Sequence, residues 1–399
     1  MDKPDKHDRR KKEPIPEKAL KGFKYFNLIT PLLKKLRGTV THQNRELFYD
    51  QYVSLILLYY FNPIITSLRA LKQVTELSKV KKLLGIKKCS LGSLSESSFV
   101  FDASLLTPLL AELGLSCTEI FKDSRFASIG KELTAVDGTL LPALPKILWA
   151  LWLDDNHRAA KMHLAFDLMK SIPAWAEITD GNGNEKDVLA KHLEPGKLYV
   201  LDCGYERHSL FNAILKAKSS FVVKLRGTAA WKTIEERPLT QDDIAAGVQK
   251  DMTVALGYKN NLSTSVRVIE VSYRGPSSRK HRAKAKNISS TDTEEKMYIA
   301  TDLMDVSSEI VALIYKHRWQ IELYFRWFKC IVGFDHLLSH NKNGITIHAY
   351  CALIAGMLIT LWTGKKPTKR TFEMVCYYFM GWATEEELSE HIEKLQTIQ

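Results

Sequence analysis

The chain has 399 residues, 45% hydrophobic and 26% charged, which implies two or three structural units with a substantial core and excludes a disordered or fibrous protein. A net charge of +12 calls for a polyanionic partner, either nucleic acid or an anionic membrane surface. Six scattered cysteines, Cys89, Cys117, Cys203, Cys330, Cys351 and Cys376, show no CxxC and no zinc-like Cys/His spacing, so buried thiols of a reducing compartment are expected.

Residues 1–24 carry nine Lys/Arg against five Asp/Glu, with Pro4, Pro14 and Pro16 among them. They predict a flexible basic arm, either a solubilising tail or one that tracks DNA. A secretory signal is not expected, because charge stands where its apolar core would be. Helical patterns follow from about Phe26 to Gly114, broken at Asn62-Pro63 and stopped at Gly85, with Ser93 and Glu96 at capping-box spacing. Short helices with interspersed Lys and Arg suit a DNA-binding unit as well as any helical bundle.

The texture changes near Ser128. ELTAVDGTLL (132–141) reads as a strand ended by Gly138, Pro142 and Pro145. AAKMHLAFDLM and IPAWAEITDG read as second and third strands, separated from a fourth, KLYVLDCGY, by the polar helix NEKDVLAKHLEPG. The helix RHSLFNAILKAK and a fifth strand, SSFVVKLRG, complete a mixed α/β sheet. His163 and Asp167 are expected to be structural, and Asp154-Asp155 a surface turn. Lys224 and Arg226 leave the sheet edge, facing either DNA or solvent.

From Thr228 to about Asp305 the pattern returns to β, in DMTVALGY, STSVRVIEVSYR and EKMYIATDLM. Between the last two, SYRGPSSRKHRAKAKN holds six Lys/Arg and His281 with no acid. This is a solvated hairpin tip or a loop lying along a phosphate backbone through Arg279, Lys280, Arg282 and Lys284. A helix is then expected from Asp305–Ser308 to Val332, with Gly333 as its stop. The apolar run Ile345 to Trp362 is nearly long enough to span a bilayer, but His348, Tyr350, Cys351 and Gly356 within it favour a buried helix. A basic linker, GKKPTKR, and an amphipathic tail, TEEELSEHIEKLQ, end the chain.

Within YKHRWQIELYFRWFK, at about 100° per residue, Tyr315, Arg318, Glu322 and Lys329 fall within roughly 60° of one another on a helix. A phenol, a guanidinium, a carboxylate and an ammonium thus share one face, while Trp319, Leu323, Phe325, Trp327 and Phe328 are expected to be largely core. The face suits a carboxylate that holds a metal, with cations beside it for phosphate. One carboxylate is a poor magnesium site, so ligands from other elements are required. Asp137 ends a short apolar run directly before Gly138, and Asp202 ends another with Gly204 two residues on. Alone, each aspartate reads as a turn former or helix cap, and Glu322 as a partner for Arg318 or Arg326. Together they outline one site.

Asp137, Asp202 and Glu322 resemble the DDE triad of transposases with a ribonuclease-H-like core. Tyr315, Arg318, Glu322 and Lys329 are similar to the Y-(2)-R-(3)-E-(6)-K signature of the insertion-sequence-four group of bacterial transposases. The resemblance covers about Leu133 to Leu338. It implies a ribonuclease-H-like mixed sheet with a β-rich insertion, preceded by an all-helical N-terminal DNA-binding domain. The implied division is 1–125 helical with the basic arm, 126–226 first part of the core, 227–306 insertion, 307–362 second part with the glutamate helix, and 363–399 helical tail. Implied too are two Mg²⁺ or Mn²⁺ ions on Asp137, Asp202 and Glu322, and cut-and-paste cleavage and strand transfer at terminal repeats. Tyr315, Arg318 and Lys329 would bind DNA, with Trp231 either stacking an extruded base or simply packing. The expected partners are transposon-end and target DNA and a second copy of the chain, in a bacterial cytoplasm near the nucleoid and away from membranes. A nuclease that cuts without joining, and a DNA-binding protein descended from a transposase, remain the alternatives.

Overall fold

The computed structural model describes residues 23–39, 45–142, 149–154, 157–257, 262, 264–273, 295–332 and 338–394. The N-terminal basic arm up to residue 22 lies outside the described residues, as do Arg279, Lys280, Arg282 and Lys284.

Six α-helices come first: α1 (Phe23–Lys34), α2 (Tyr49–Phe61), α3 (Leu68–Val74), α4 (Ser78–Leu84), α5 (Leu91–Val100) and α6 (Thr107–Leu115). The breaks follow the sequence: α2 ends before Asn62-Pro63, and α4 ends on Gly85 in the left-handed conformation at φ 62°. The capping-box expectation at Ser93 is corrected. Ser90 caps α5 by accepting from the Ser93 N–H at 2.9 Å, which leaves Ser93 inside the helix.

The strands are β1 (Glu132–Pro142), β2 (Leu151–Asp154), β3 (His157–Asp167), β4 (Ile172–Asp180), β5 (Lys197–Leu201), β6 (Ser220–Lys224), β7 (Trp231–Arg237), β8 (Val248–Leu256), β9 (Val266–Tyr273) and β10 (Glu295–Thr301). Helix α7 (Glu185–Lys191) precedes β5, α8 (His208–Lys216) precedes β6, and α9 (Gln241–Ala245) lies between β7 and β8. All ten strands join one sheet in the order β2-β3-β1-β5-β6-β10-β9-β8-β7, with β4 also paired to β3. β1, β5 and β6 are parallel, whereas β3 runs against β1 and β4 against β3. The β-rich insertion therefore extends the core sheet, because β10 pairs antiparallel with β6.

Two local expectations are corrected here. β1 runs straight through Gly138 to Pro142, because β3 pairs with it along that length and the ladder outweighs the glycine. Asp154 ends β2, paired with His157, where a polar turn was expected.

The remaining helices are α10 (Ser308–His317), α11 (Trp319–Val332), α12 (Lys342–Thr363), α13 (Lys369–Met380) and α14 (Glu385–Lys394). The single helix expected from Ser308 to Val332 is two, parted at Arg318. There the Arg318 N–H donates to Tyr315 O and the Ile321 N–H to Arg318 O, both three residues back, so the regular four-residue ladder is interrupted. The expected basic linker is also corrected in part, since Lys369 and Arg370 open α13.

One continuous buried cluster runs from Ile29 in α1 through α2, α6, β3, β4 and α11 to Val375 in α13, with α12 at its centre. Among the single helices of the described residues, α12 alone is long and apolar enough to cross a membrane, yet 89% of its most apolar window is buried within the protein. Glycine matters at one point on it. A Cβ at Gly356 would lie 2.6 Å from Trp327 Cη2, so its absence lets α11 seat closely on α12. Cys89, Cys117, Cys351 and Cys376 are buried and free, but the uniform burial expected of the thiols fails at Cys203, half-exposed, and Cys330, exposed on α11.

The insertion braces the start of α10. Arg267, 1% exposed, grips Asp251 with its fork and donates through Nη1 to Leu303 O at 2.7 Å and to Val306 O. Asp243 accepts from Ser308 Oγ at 2.8 Å and the Glu309 N–H at 2.9 Å, capping α10 from outside. Burial opposes the Asp243 charge, but these bonds and those from Thr240 hold its carboxyl down at about 2.

Candidate active site

β1 and β5 are neighbours in parallel register, Thr134 opposite Tyr199 and Ala135 opposite Val200. Continued by two residues, that register sets Asp137 opposite Asp202 where the two strands end their pairing. Each carboxylate is oriented locally: Asp137 Oδ1 accepts from the Gly138 N–H and Asp202 Oδ1 from the Gly204 N–H, both at 2.8 Å.

Glu322 arrives on α11. The buried face of that helix, Ile321, Tyr324, Phe325, Trp327 and Phe328, presses on α12 and the sheet, with Tyr324 and Phe166 of β3 at 4.9 Å between ring centroids. The expected core role fails for two residues: Trp319 is 52% and Leu323 38% exposed, on the side of α11 away from that seat.

Arg318 links the elements. Its Nη1 lies 3.5 Å from Asp137 Oδ2 and its Nη2 donates to Glu322 Oε1, while its Cζ lies 5.8 Å from the centre of the Tyr315 ring. Burial pushes the Asp137 carboxyl up to about 7 and the Asp202 charge adds to it, with the Gly138 N–H and Arg318 pulling the other way. Burial likewise raises the Tyr315 phenol to about 12. Asp137, Asp202, Tyr315, Arg318 and Glu322, far apart in the chain, thus come together in the fold.

Lys329 stands on α11 seven residues beyond Glu322, about 10 Å along the axis. It is exposed, and no anionic side chain pairs with it among the described residues. Trp231 is half-buried on β7 with Tyr298 against it, ring centroids 5.2 Å apart. His163 and Asp167 are structural, as expected: His163 Nε2 meets Thr179 Oγ1 at 2.9 Å, burial lowers its imidazole to about 4, and Asp167 accepts from the Met169 and Lys170 N–H groups.

Three neighbours of the site escaped the sequence reading. Lys161 and Glu185 form an ion pair at 2.6 Å over Gly138, where a Cβ would come within 2.6 Å of Glu185 Oε1. Tyr205 lies wholly buried at the end of the short 3-10 turn 203–205 that follows Asp202. Position 205 had a weak signal, a tyrosine just beyond an aspartate and a glycine, whereas Lys161 and Glu185 had none.

The carboxylates are hard oxygen donors of the kind Mg²⁺ or Mn²⁺ takes, and a guanidinium already compensates two of them, so a divalent cation fits the chemistry of the place. Among the described residues, however, no three His, Cys, Asp or Glu side chains are gathered tightly enough to cage an ion as they stand. Arg318 lies between Asp137 and Glu322.

Residues 128–358 match the family model described as the transposase DDE domain. The chain belongs to the DDE transposase family. A transposase-named relative from Sinorhizobium fredii is 27% identical over 234 residues, 57% of this chain and 60% of the relative. The chain therefore spans less than two thirds of that relative's length. A relative from Geobacillus stearothermophilus, named as a transposase for insertion sequence element IS5377, is 22% identical over 79% of this chain and 78% of its own. Another from Synechocystis, named for element IS4SA, is 22% identical over 58% and 60%. The cryo-EM structure of a piggyBac transposase synaptic complex with hairpin DNA overlaps 93% of this chain and 81% of its own at 12% identity and a TM-score of 0.39.

Proposed function

We propose that this chain is a metal-dependent DNA transposase of insertion-sequence-four type, cutting and joining DNA at terminal inverted repeats. The observation that carries the reading is that Arg318 bridges Asp137 of β1 and the helical Glu322, with Asp202 beside Asp137 at the end of the neighbouring β5, inside a DDE transposase domain. The strand order β4-β3-β1-β5-β6, with only β3 reversed, supports a ribonuclease-H-like core. Domain limits near residues 125, 226, 306 and 362 follow from it, although the N-terminal helices share their buried cluster with the sheet.

Asp137, Asp202 and Glu322 are the residues that would hold two Mg²⁺ or Mn²⁺ ions. When bound, such ions supply charge neutralisation and Lewis acidity at a transferring phosphoryl group. Arg318 competes for the same carboxylates and, once released, is a planar fork beside the site suited to phosphate. Tyr315 offers a hydroxyl donor, kept protonated by burial, and Lys329 a point charge for the DNA backbone. The partners are transposon-end and target DNA, held by a homodimer in the bacterial cytoplasm.

The test is a cleavage and strand-transfer assay with purified protein, Mg²⁺ and linear DNA bearing the native terminal repeats. Cleaved ends and joined products are expected, with Glu322→Gln losing both while retaining end binding. Cleavage without joining would make the chain a nuclease, and binding alone a DNA-binding descendant. Normal cleavage by Asp202→Ala would overturn the site.

A further inference from the structure

Just beyond Glu322, the outer side of α11 opens onto a cavity of about 320 Å³, closed on its other side by residues 366–369, which lead into α13. Its floor is apolar. Phe166, Tyr324 and Trp327 line it as a packed aromatic row, with ring centroids 4.9 Å and 5.3 Å apart, and Leu323, 38% exposed, stands beside them. The polar side chains at one end are already satisfied, since Ser171 Oγ donates to Gln320 Oε1 at 3.1 Å. The rim is cationic: Arg326, Lys366 and Lys369 line the cavity, all three are exposed, and no acidic residue is among the lining. Arg326 rests over the Trp319 ring at 5.7 Å, and Lys369 has Glu373 at 3.7 Å. Among the described residues, neither Arg326 nor Lys366 has a carboxylate partner.

An apolar floor ringed by cations selects a ligand with an apolar face and a negative charge beside it. A nucleotide is both, because every base has a π face and carries its phosphate alongside. Duplex DNA keeps its bases in the stack, so only an unpaired nucleotide offers both groups to such a cavity. Its place on α11 favours a nucleotide within a strand. Leu323 directly follows Glu322, and Arg326 stands one turn beyond it, about 6 Å along the axis and about 40° round. At about 3.4 Å per stacked nucleotide, that is a step of roughly two.

Resting on the reading of Glu322 as a catalytic carboxylate, we propose that this cavity seats an unpaired nucleotide of the DNA strand that leaves the carboxylate site. The base lies on the apolar floor beside Leu323, and the phosphate is held by Arg326, Lys366 and Lys369.

Two thiols allow a direct test. Cys330 lines the cavity and is exposed, so it reports on the seat, whereas Cys203, half-exposed next to Asp202, reports on the carboxylate site. The full-length protein is labelled with a maleimide in EDTA, each cysteine being followed by peptide mass spectrometry, in the presence of a single-stranded oligothymidylate or the same backbone without bases. The oligothymidylate should halve Cys330 labelling at about one tenth of the concentration that the abasic strand needs. Lys366→Glu, a change at an exposed position, should weaken shielding of Cys330 more than that of Cys203. Equal shielding of Cys330 by the two strands, or a Lys366→Glu protein shielded like the parent, overturns the nucleotide seat. So does a Cys330 labelled freely while Cys203 is shielded, an outcome that leaves the carboxylate site standing. If neither thiol is shielded, the DNA site at the carboxylates fails and the seat falls with it.

Discussion

Arg318→Ala should destabilise the metal-free protein and strengthen its hold on metal. The Arg318 side chain is 14% exposed, and its partners Asp137 and Glu322 are 19% and 30% exposed. Removing one member of a fully buried pair costs about 3–5 kcal/mol, and an exposed pair about 0–1 kcal/mol. The burial here is intermediate, and one of the two contacts is long at 3.5 Å. A loss of about 2 kcal/mol follows, a drop of roughly 2–4 °C in Tm for a chain of this size. Divalent cations would no longer have to break the bridge. If the bridge opposes them by about 1.4 kcal/mol, the variant binds Mn²⁺ about 10-fold more tightly. The assay is thermal unfolding in EDTA and across a Mn²⁺ titration. An Arg318→Ala protein that melts no lower in EDTA, or gains no more from Mn²⁺ than the parent, refutes the idea that the guanidinium stands in the cation's place.

A pH dependence follows from Asp137, whose folded carboxyl at about 7 lies above the ordinary aspartate value of about 3.9. The folded state binds that proton more tightly than the unfolded state, so its stabilising effect is complete below about pH 4 and is lost as pH rises to about 7. Metal binding should release a proton and tighten over the same window, and Asp137→Asn should flatten the stability slope between pH 4 and 7 in EDTA melts. Gly138→Ala should cost about 1–3 kcal/mol in denaturant unfolding, because its Cβ meets Glu185 Oε1 at 2.6 Å and Lys161 Cε at 2.9 Å. A neutral result there would mean that the Lys161–Glu185 pair yields freely. Asp243→Ala should cost about 1–3 kcal/mol by uncapping α10. It should also speed amide hydrogen exchange at Ser308 to Val311, and exchange unchanged there would sink the brace.

The periodicities that built the reading are local, and so were its successes. Apolar runs of five to eleven residues marked β1, β3, β4, β5 and β6, and Asn62-Pro63 and Gly85 ended helices where they stand. Strand β7, WKTIEER, went unread because it is an edge strand with most of its residues exposed, and no alternation of burial is imposed on it. The helix break at Arg318 went unread for a different reason. Nothing in IYKHRWQIE forbids a continuous helix, and the interruption accompanies a side chain that reaches both Asp137 and Glu322.

The chemistry of the site was legible in sequence because carboxylates, a guanidinium and a phenol at helical spacing restrict what a face can do. Asp137, Asp202 and Glu322 could be paired on paper since each aspartate follows a short apolar run and Glu322 shares a helix face with Arg318. What decided their company was the parallel register of β1 with β5, together with a glycine at 356 that lets α11 settle on α12. Lys161, Glu185 and Tyr205 entered only through that packing. Their placement depends on packing across strands, which is not a property of residues near one another in the chain. Sequence determines which groups are available, through local periodicity and residue chemistry. Tertiary structure alone decides which of those groups are desolvated together, and desolvation beside a like charge is what lifts Asp137.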